Sequence, residues 1–161
     1  MLIRPATSAD LPAIAAVYDH EVETGYATFD LSPRPIADWE ARLASTETGD
    51  HLLALEIDGE VCGYASSSPY RPKAGYRHTR ETTIYLADGA VGQGLGRRLY
   101  GELLDLLVAD GVHLALAAIA LPNPASVALH QAFSFEEVGV MREVGRKQDR
   151  WIDVLWLQKR L

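Results

Sequence analysis

The run His113-Leu114-Ala115-Leu116-Ala117-Ala118-Ile119-Ala120 constrains this chain's fold more than any other segment. After its first residue it carries no polar side chain. A strand can be apolar at every position only where both faces are covered. The chain must therefore build layers, with a sheet between helices. The rest of the sequence supplies the parts. Leu2 to Arg4 reads as a short strand. Thr7 or Ser8 can cap a helix whose buried stripe is Leu11, Ile14, Ala15, Tyr18 and Val22. A second helix runs roughly from Pro35 to Thr46 on Ile36, Trp39 and Leu43. His51 to Ile57 and Glu60 to Ser67 form a hairpin about Asp58-Gly59.

Residues 69–80 read as a loop and Glu81 to Ala87 as a strand. A glycine-rich turn leads into a helix with Leu99, Leu103, Leu106 and Leu107 inward, ending near Gly111. Asn123-Pro124 opens a helix reaching about Ser134, and two strands cover roughly 135–142 and 150–159. Interspersed helices and strands predict an α/β or α+β sandwich with a mixed sheet. At 161 residues this is one domain, 1–161, with no repeat or linker.

Charge narrows the partners. A net charge of −7 makes a poor binder of nucleic acid or anionic membrane, which both need a positive field. Any anionic ligand must be held by local cations or backbone N–H groups. The lone Cys62, in an apolar stretch, excludes an internal disulfide and a cysteine-rich metal site, and reads as a core thiol. Met1 to Pro5 shows no signal peptide, and no apolar run approaches a membrane span, so the expected compartment is the cytoplasm.

Three segments carry possible chemistry. In Gly92-Gln93-Gly94-Leu95-Gly96, between strand and helix, the glycines allow close backbone approach and the helix N-terminus favours a diphosphate. A flexible turn explains the same pattern, which matches neither the P-loop nor the dinucleotide fingerprint. Asn123, Ser126 and His130 form a polar stripe at i, i+3 and i+7, beside Leu129 and Phe133 on the buried side. It is either a solvated face or a row of hydrogen-bonding groups along a ligand. The loop 71–80 gathers Arg71, Lys73, Arg77 and Arg80 without an acid, suited to solubility or to an anionic substrate group. Glu81 follows, as a base or as an ion-pair partner of Arg80 or Arg77.

In this order the pieces resemble the GNAT superfamily of N-acetyltransferases, and within it the branch acting on phosphinothricin and on methionine sulfoximine and sulfone. The likeness rests on Ile3-Arg4-Pro5-Ala6-Thr7, Tyr26-Ala27-Thr28-Phe29-Asp30, Tyr70-Arg71-Pro72, Glu81-Thr82-Thr83-Ile84-Tyr85-Leu86, Gly92-Gln93-Gly94-Leu95-Gly96-Arg97, Leu129-His130 and the ending Val144 to Val154. It implies a GNAT fold: a mixed, mostly antiparallel sheet flanked by helices, with two parallel strands splaying to form a coenzyme A cleft. It further implies an acetyl-CoA-dependent N-acetyltransferase for the amino group of a small amino-acid-like substrate, acting as a homodimer. The implied acetyl-CoA residues are the backbones of Ile84, Tyr85 and Leu86, the N–H groups of Gly92, Gln93, Gly94, Leu95, Gly96 and Arg97, and Asn123 near the sulfur. Arg71, Pro72, Lys73, Glu81, Thr82 and Thr83 match the substrate positions.

The chain departs from the family pattern at Ala90-Val91, where Gln/Arg-Arg is common, at Lys73-Ala74, and at Ser134-Phe135, where Gly-Phe is common.

Acetyl transfer to an amine requires deprotonation, because an α-amino group with a pKa of about 8 is mostly charged at neutral pH. It also requires a polarised thioester carbonyl. Glu81 is the expected base, through a water, and a backbone N–H near Leu86 the carbonyl donor. His130 is the alternative base, or the acid for the departing thiolate. Arg71, helped by Lys73 or Arg77, would hold the substrate's acidic groups. No step calls for a metal. Two other readings fit the same residues: a GNAT enzyme for a polyamine, aminoglycoside or protein N-terminus, and a non-catalytic coenzyme A-binding module.

Overall fold

The apolar run forms the fifth strand of a seven-stranded sheet. The computed structural model describes residues 1–161. In chain order the elements are β1 (Leu2–Pro5), α1 (Leu11–Thr24), α2 (Ile36–Leu43), β2 (His51–Ile57), β3 (Glu60–Pro69), β4 (Thr79–Leu86), α3 (Leu95–Ala109), β5 (Leu114–Ala120), α4 (Pro124–Ala132), β6 (Glu136–Lys147) and β7 (Arg150–Arg160). The strand order is β1-β2-β3-β4-β5-β7-β6. Every neighbouring pair is antiparallel except β4–β5. That pair joins Thr79↔Leu114, Arg80↔Ala115 and Glu81↔Leu116, and then stops. Beyond it β4 continues to Leu86 on β3, and β5 continues to Ala120 on β7. The only parallel pair in the sheet thus splays after one short stretch.

Side chains alternate across a strand, so β2 and β3 each feed two cores. Leu53, Leu55 and Ala65 join α3's Leu99, Leu103 and Leu107 on one face. Leu52, Ala54 and Tyr64 join α1 and Trp39 of α2 on the other. The expected α1 stripe, Leu11, Ile14, Ala15, Tyr18 and Val22, is buried in full. Arg4 grips the α1 entry. Its Nη1 and Nη2 donate to the two Asp10 carboxylate oxygens at 2.6 and 2.8 Å, and Asp10 Oδ2 accepts the Thr7 N–H at 2.7 Å.

Several boundaries and faces differ from the sequence reading. α2 is shorter than predicted and buries only Trp39, leaving Ile36 exposed. In α3, Leu104 takes the inward place expected of Leu106, which is half-buried. β4 begins at Thr79, two residues early. β6 extends to Lys147, because irregularities between Glu137 and Gly139 and between Met141 and Gly145 break its alternation without ending its pairing. β5 is covered on both faces except at Ala118, which is exposed beside the splay.

Ser134 adopts φ +61. A left-handed conformation costs a residue with a Cβ about 1–2 kcal/mol. Part of that is offset because glycine loses more entropy on folding. We expect Ser134→Gly to stabilise the protein by about 0.5–1 kcal/mol, read as a higher urea midpoint at unchanged m-value.

Candidate active site

The splay opens a cleft of about 780 Å³. Ile84, Tyr85 and Leu86 line one side, Ala117 to Ala120 the other, and the glycine turn and the start of α4 complete the walls. Where pairing has stopped, the facing backbone groups of the two strands do not bond to one another. An extended ligand with amide groups finds there the edge that a further strand would find.

The glycine turn closes one end. Gly92 at φ +81 and Gly94 at φ +76 adopt backbone that favours glycine, and a Cβ at either would meet open space. Gly96 serves a different purpose: its missing Cβ would lie 3.3 Å from Leu86 Cδ1, so it lets α3 pack tightly on β4. No acid lies in the first turn of α3. The first N–H groups of a helix have no partner within it, and they point at any anion placed there. Gly92, Gly94, Gly96 and Arg97 line the cleft. Gln93 and Leu95 do not: Gln93 Nε2 turns back to the Gly89 carbonyl at 2.7 Å, and Leu95 is buried in the core.

At α4, Asn123 Oδ1 accepts the Ser126 N–H at 3.0 Å and caps the helix. Asn123, Ser126 and His130 all line the cleft. The stripe is not a solvated face at its far end, because His130 is only 3% exposed. Its ring packs edge-on to Tyr100 at 4.9 Å and Phe135 at 5.1 Å. Nδ1 lies 2.8 Å from the Ser126 carbonyl oxygen, which can only accept, so Nδ1 carries the proton. Burial lowers the imidazole pKa, partly countered by this hydrogen bond. The ring is neutral at pH 7, with the Nε2 lone pair free of that contact. We expect Asn123→Ala to cost about 1 kcal/mol in thermal unfolding and Asn123→Asp to keep the cap.

Glu81 sits where pairing ends. Its expected partners are engaged elsewhere or exposed. Arg80 is buried, donates to the Thr48 and Arg77 carbonyls, and lies 3.1 Å from Asp50. No cation stands within salt-bridge distance of Glu81. Burial raises its pKa, and the charge of Arg42 pulls the other way. The alternation of β4 places Glu81 and Tyr85 toward α1 and α2, and Thr82, Ile84 and Leu86 toward α3. Thr82 Oγ1 is 2.7 Å from the Tyr100 hydroxyl, and Tyr100 in turn contacts His130. Glu81 and His130 therefore line one cleft from opposite faces of the sheet.

Thr82 and Thr83 also line the cleft, whereas Arg71, Pro72, Lys73 and Arg77 lie exposed outside it. Arg71 instead rests over the Tyr70 ring at 5.0 Å. The other wall beside Glu81 is built by Tyr18, Thr28, Phe29, Arg34, Arg42 and Tyr64, of which only Thr28 and Phe29 fall in a sequence motif. Tyr18, Trp39, Tyr64 and Tyr85 form a continuous aromatic set there, at centroid distances of 5.3–5.7 Å. Lys147 secures this wall by donating to the Thr28 carbonyl at 3.0 Å. Gly145 leaves room for the Phe29 ring, which would lie 2.5 Å from a Cβ. The interlocking of residues 26–30 with residues 145–147 left no local signal except two short motifs far apart in the chain. No group of three or more His, Cys, Asp or Glu side chains is placed to hold a metal.

Comparison with known proteins agrees with this geometry. Residues 14–135 match the acetyltransferase (GNAT) family. The chain is 43% identical to a phosphinothricin N-acetyltransferase of Streptomyces coelicolor, covering 99% of this chain and 95% of that one. It is 38% identical to an L-methionine sulfoximine/L-methionine sulfone acetyltransferase of Pseudomonas aeruginosa, covering 99% and 94%. The crystal structure of a GNAT superfamily phosphinothricin acetyltransferase from Sinorhizobium meliloti in complex with AcCoA superimposes with a TM-score of 0.94. It is 36% identical, over 99% of this chain and 88% of that one. A splayed β4–β5 pair, a glycine turn at the head of α3 and a match across most of the sequence lead to one assignment: the chain belongs to the acetyltransferase (GNAT) family.

Proposed function

We propose that the protein is an acetyl-CoA-dependent N-acetyltransferase that acetylates the α-amino group of a small amino-acid-like substrate, such as phosphinothricin or methionine sulfone or sulfoximine. The observation that carries this reading is the cleft itself. It runs along the unpaired edge of β4, from the α3 N-terminus to an unpaired carboxylate, Glu81. The relatives named for these substrates share the whole length of the chain. In this reading residues 1–161 form one catalytic domain, located in the cytoplasm.

The residues present fit acetyl-CoA. The backbones of Ile84, Tyr85 and Leu86 can pair with amide groups of a pantetheine arm. The N–H groups from Gly92 to Arg97 suit a diphosphate without needing the side chains of Ala90 and Val91. Asn123 retains its Nδ2 donor, since only Oδ1 is used in the cap. When bound, acetyl-CoA supplies an acetyl thioester for attack by the amine.

Glu81 takes the ammonium proton, directly or through a water. A backbone N–H near Leu86 polarises the carbonyl. His130, neutral at pH 7, can meet the sulfur side only as an acceptor until it is protonated. We assign Glu81 as the base for the ammonium proton, and the Nε2 acceptor of His130 as the relay that takes the proton still carried by the attacking nitrogen and passes it to the departing thiolate. The exposed apolar side chains of β6 and β7, among them Met141, Val144 and Trp151, offer a face for a second copy, and we propose a homodimer. Equilibrium sedimentation at twice the chain mass supports it, and a monomer at micromolar concentration contradicts it.

The functional test is thiol release from acetyl-CoA with methionine sulfone, phosphinothricin, spermidine and a short peptide. Turnover confined to the amino-acid analogues supports the reading. Turnover confined to spermidine or the peptide moves the enzyme to another amine, and coenzyme A binding without turnover on any makes it a binding module.

A further inference from the structure

An α-amino acid is a zwitterion whose two charges are attached to the same carbon. A site that takes the proton from its ammonium group must therefore find a place for the carboxylate close by. A carboxylate removed from water without a cation is costly. This requirement rests on the proposed function, and the cleft can be searched for the group that meets it.

Three cationic side chains line the cleft: Arg34, Arg42 and Arg97. Arg97 belongs to the first turn of α3, at the opposite end from Glu81. Arg34 is already neutralised. Its Nη2 donates to Asp30 Oδ2 at 2.8 Å and to the Tyr18 hydroxyl at 2.9 Å, and its guanidinium stacks 4.5 Å above the Tyr18 ring. Arg42 differs from both. It is half-buried, it has no carboxylate within salt-bridge distance, and its one hydrogen bond runs from Nη1 to Ser66 Oγ at 2.7 Å. Ser66 is fully buried on β3, so the guanidinium is held in place while most of its five N–H donors remain unused. Its charge acts on Glu81, which it draws toward the ionised form. Arg42 also lines a side pocket of about 570 Å³ together with Arg34, so it stands where two cavities meet.

We propose that Arg42 receives the α-carboxylate of the acceptor amino acid and selects acceptors that carry one. The cleft then offers a zwitterion one fixed charge for each of its own: Glu81 for the ammonium and the Arg42 fork for the carboxylate. Ser66 fixes the fork, and Arg34 stays committed to Asp30. The exposed loop arginine Arg71 is the competing holder of this group.

The test compares methionine sulfone, whose single acid is the α-carboxylate, with its α-carboxamide. Steady-state kinetics are measured on the wild type and on Arg42→Gln, Arg42→Lys and Arg71→Gln, each checked for folding by its thermal transition. A charge-assisted hydrogen bond is worth about 1.5–3 kcal/mol, so Arg42→Gln should raise KM for methionine sulfone about 10–100-fold. The ratio of kcat/KM for methionine sulfone to that for its carboxamide should fall by the same factor, because any effect of Arg42 on Glu81 is common to both substrates. Arg42→Lys, which keeps the charge without the fork, should fall between.

Equal losses on acid and carboxamide, or a shifted pH profile with unchanged discrimination, overturn the proposal, because Arg42 would then act on Glu81 or on the fold. A loss of discrimination in Arg71→Gln with Arg42→Gln unaffected also overturns it and leaves the proposed function standing. A wild type that acetylates neither compound overturns the proposed function and this inference with it.

Discussion

Glu81→Gln lowers kcat/KM for amino-acid acetylation by about 10²–10⁴-fold at pH 7, the range of a positioned general base. Gln keeps the shape of the side chain and removes its ability to take a proton. The pH dependence gives the sharper result. Burial raises the Glu81 pKa, so the carboxylate is the active form and is lost by protonation at a higher pH than for an ordinary glutamate. Wild-type kcat/KM should climb with pH through that shifted value, and the variant should lack this limb. Stability moves the other way. A carboxyl group whose folded pKa lies above its unfolded pKa stabilises the fold below both values, and loses that contribution as pH rises through the folded one. Above that pKa the ionised Glu81 is a burden on the fold, so Glu81→Gln should not lower the melting temperature. Pronounced destabilisation with intact turnover would make Glu81 a structural residue.

Trp39→Ala destabilises the protein by about 3–5 kcal/mol, the cost of removing a large core aromatic. Trp39 is 1% exposed, and it is the one buried side chain of α2. It stands edge-on between Tyr18 at 5.5 Å and Tyr64 at 5.3 Å. Without it α2 loses its anchor and the aromatic wall beside Glu81 loses its backing. Its Nε1 has no hydrogen-bond partner. Trp39→Phe keeps a ring and removes that unpaired donor, so it should cost much less than Trp39→Ala. Urea denaturation of both variants at pH 7 reads the difference. Equal losses would mean that the indole, not ring packing, holds α2.

The central layers were legible because their patterns are local. The α1 stripe, the apolar β5 run and the Asp58-Gly59 turn each fix an element within a few residues. Asp58 at φ +51 and Gly59 at φ +86 form that turn as the dipeptide predicts. Elements with less local signal were read less well. β6 is exposed along most of its length and twice irregular, so no alternation marks its last third.

The site divides in the same way. The glycine turn, the cap at Asn123 and the Glu81 strand have motifs, and the structure brings them to one cleft. The density of cations in 71–80 drew attention to a loop that lies exposed, while Arg80 leaves that cluster for Asp50. Arg42 showed nothing in the sequence to separate it from a solvated helix residue. Only the packing of α2 on β3 turns it toward Ser66 and the cleft. His130 was legible as a candidate but not as a neutral, aromatic-packed ring, since Tyr100 and Phe135 arrive from other elements.

The most direct test of the central claim is to identify the product formed from acetyl-CoA and methionine sulfone, by mass spectrometry with fragmentation, while free coenzyme A is counted in the same reaction. The cleft geometry predicts one α-N-acetyl product for each coenzyme A released. Coenzyme A released without acetylated amine, or an acetyl group found on the protein alone, would contradict it.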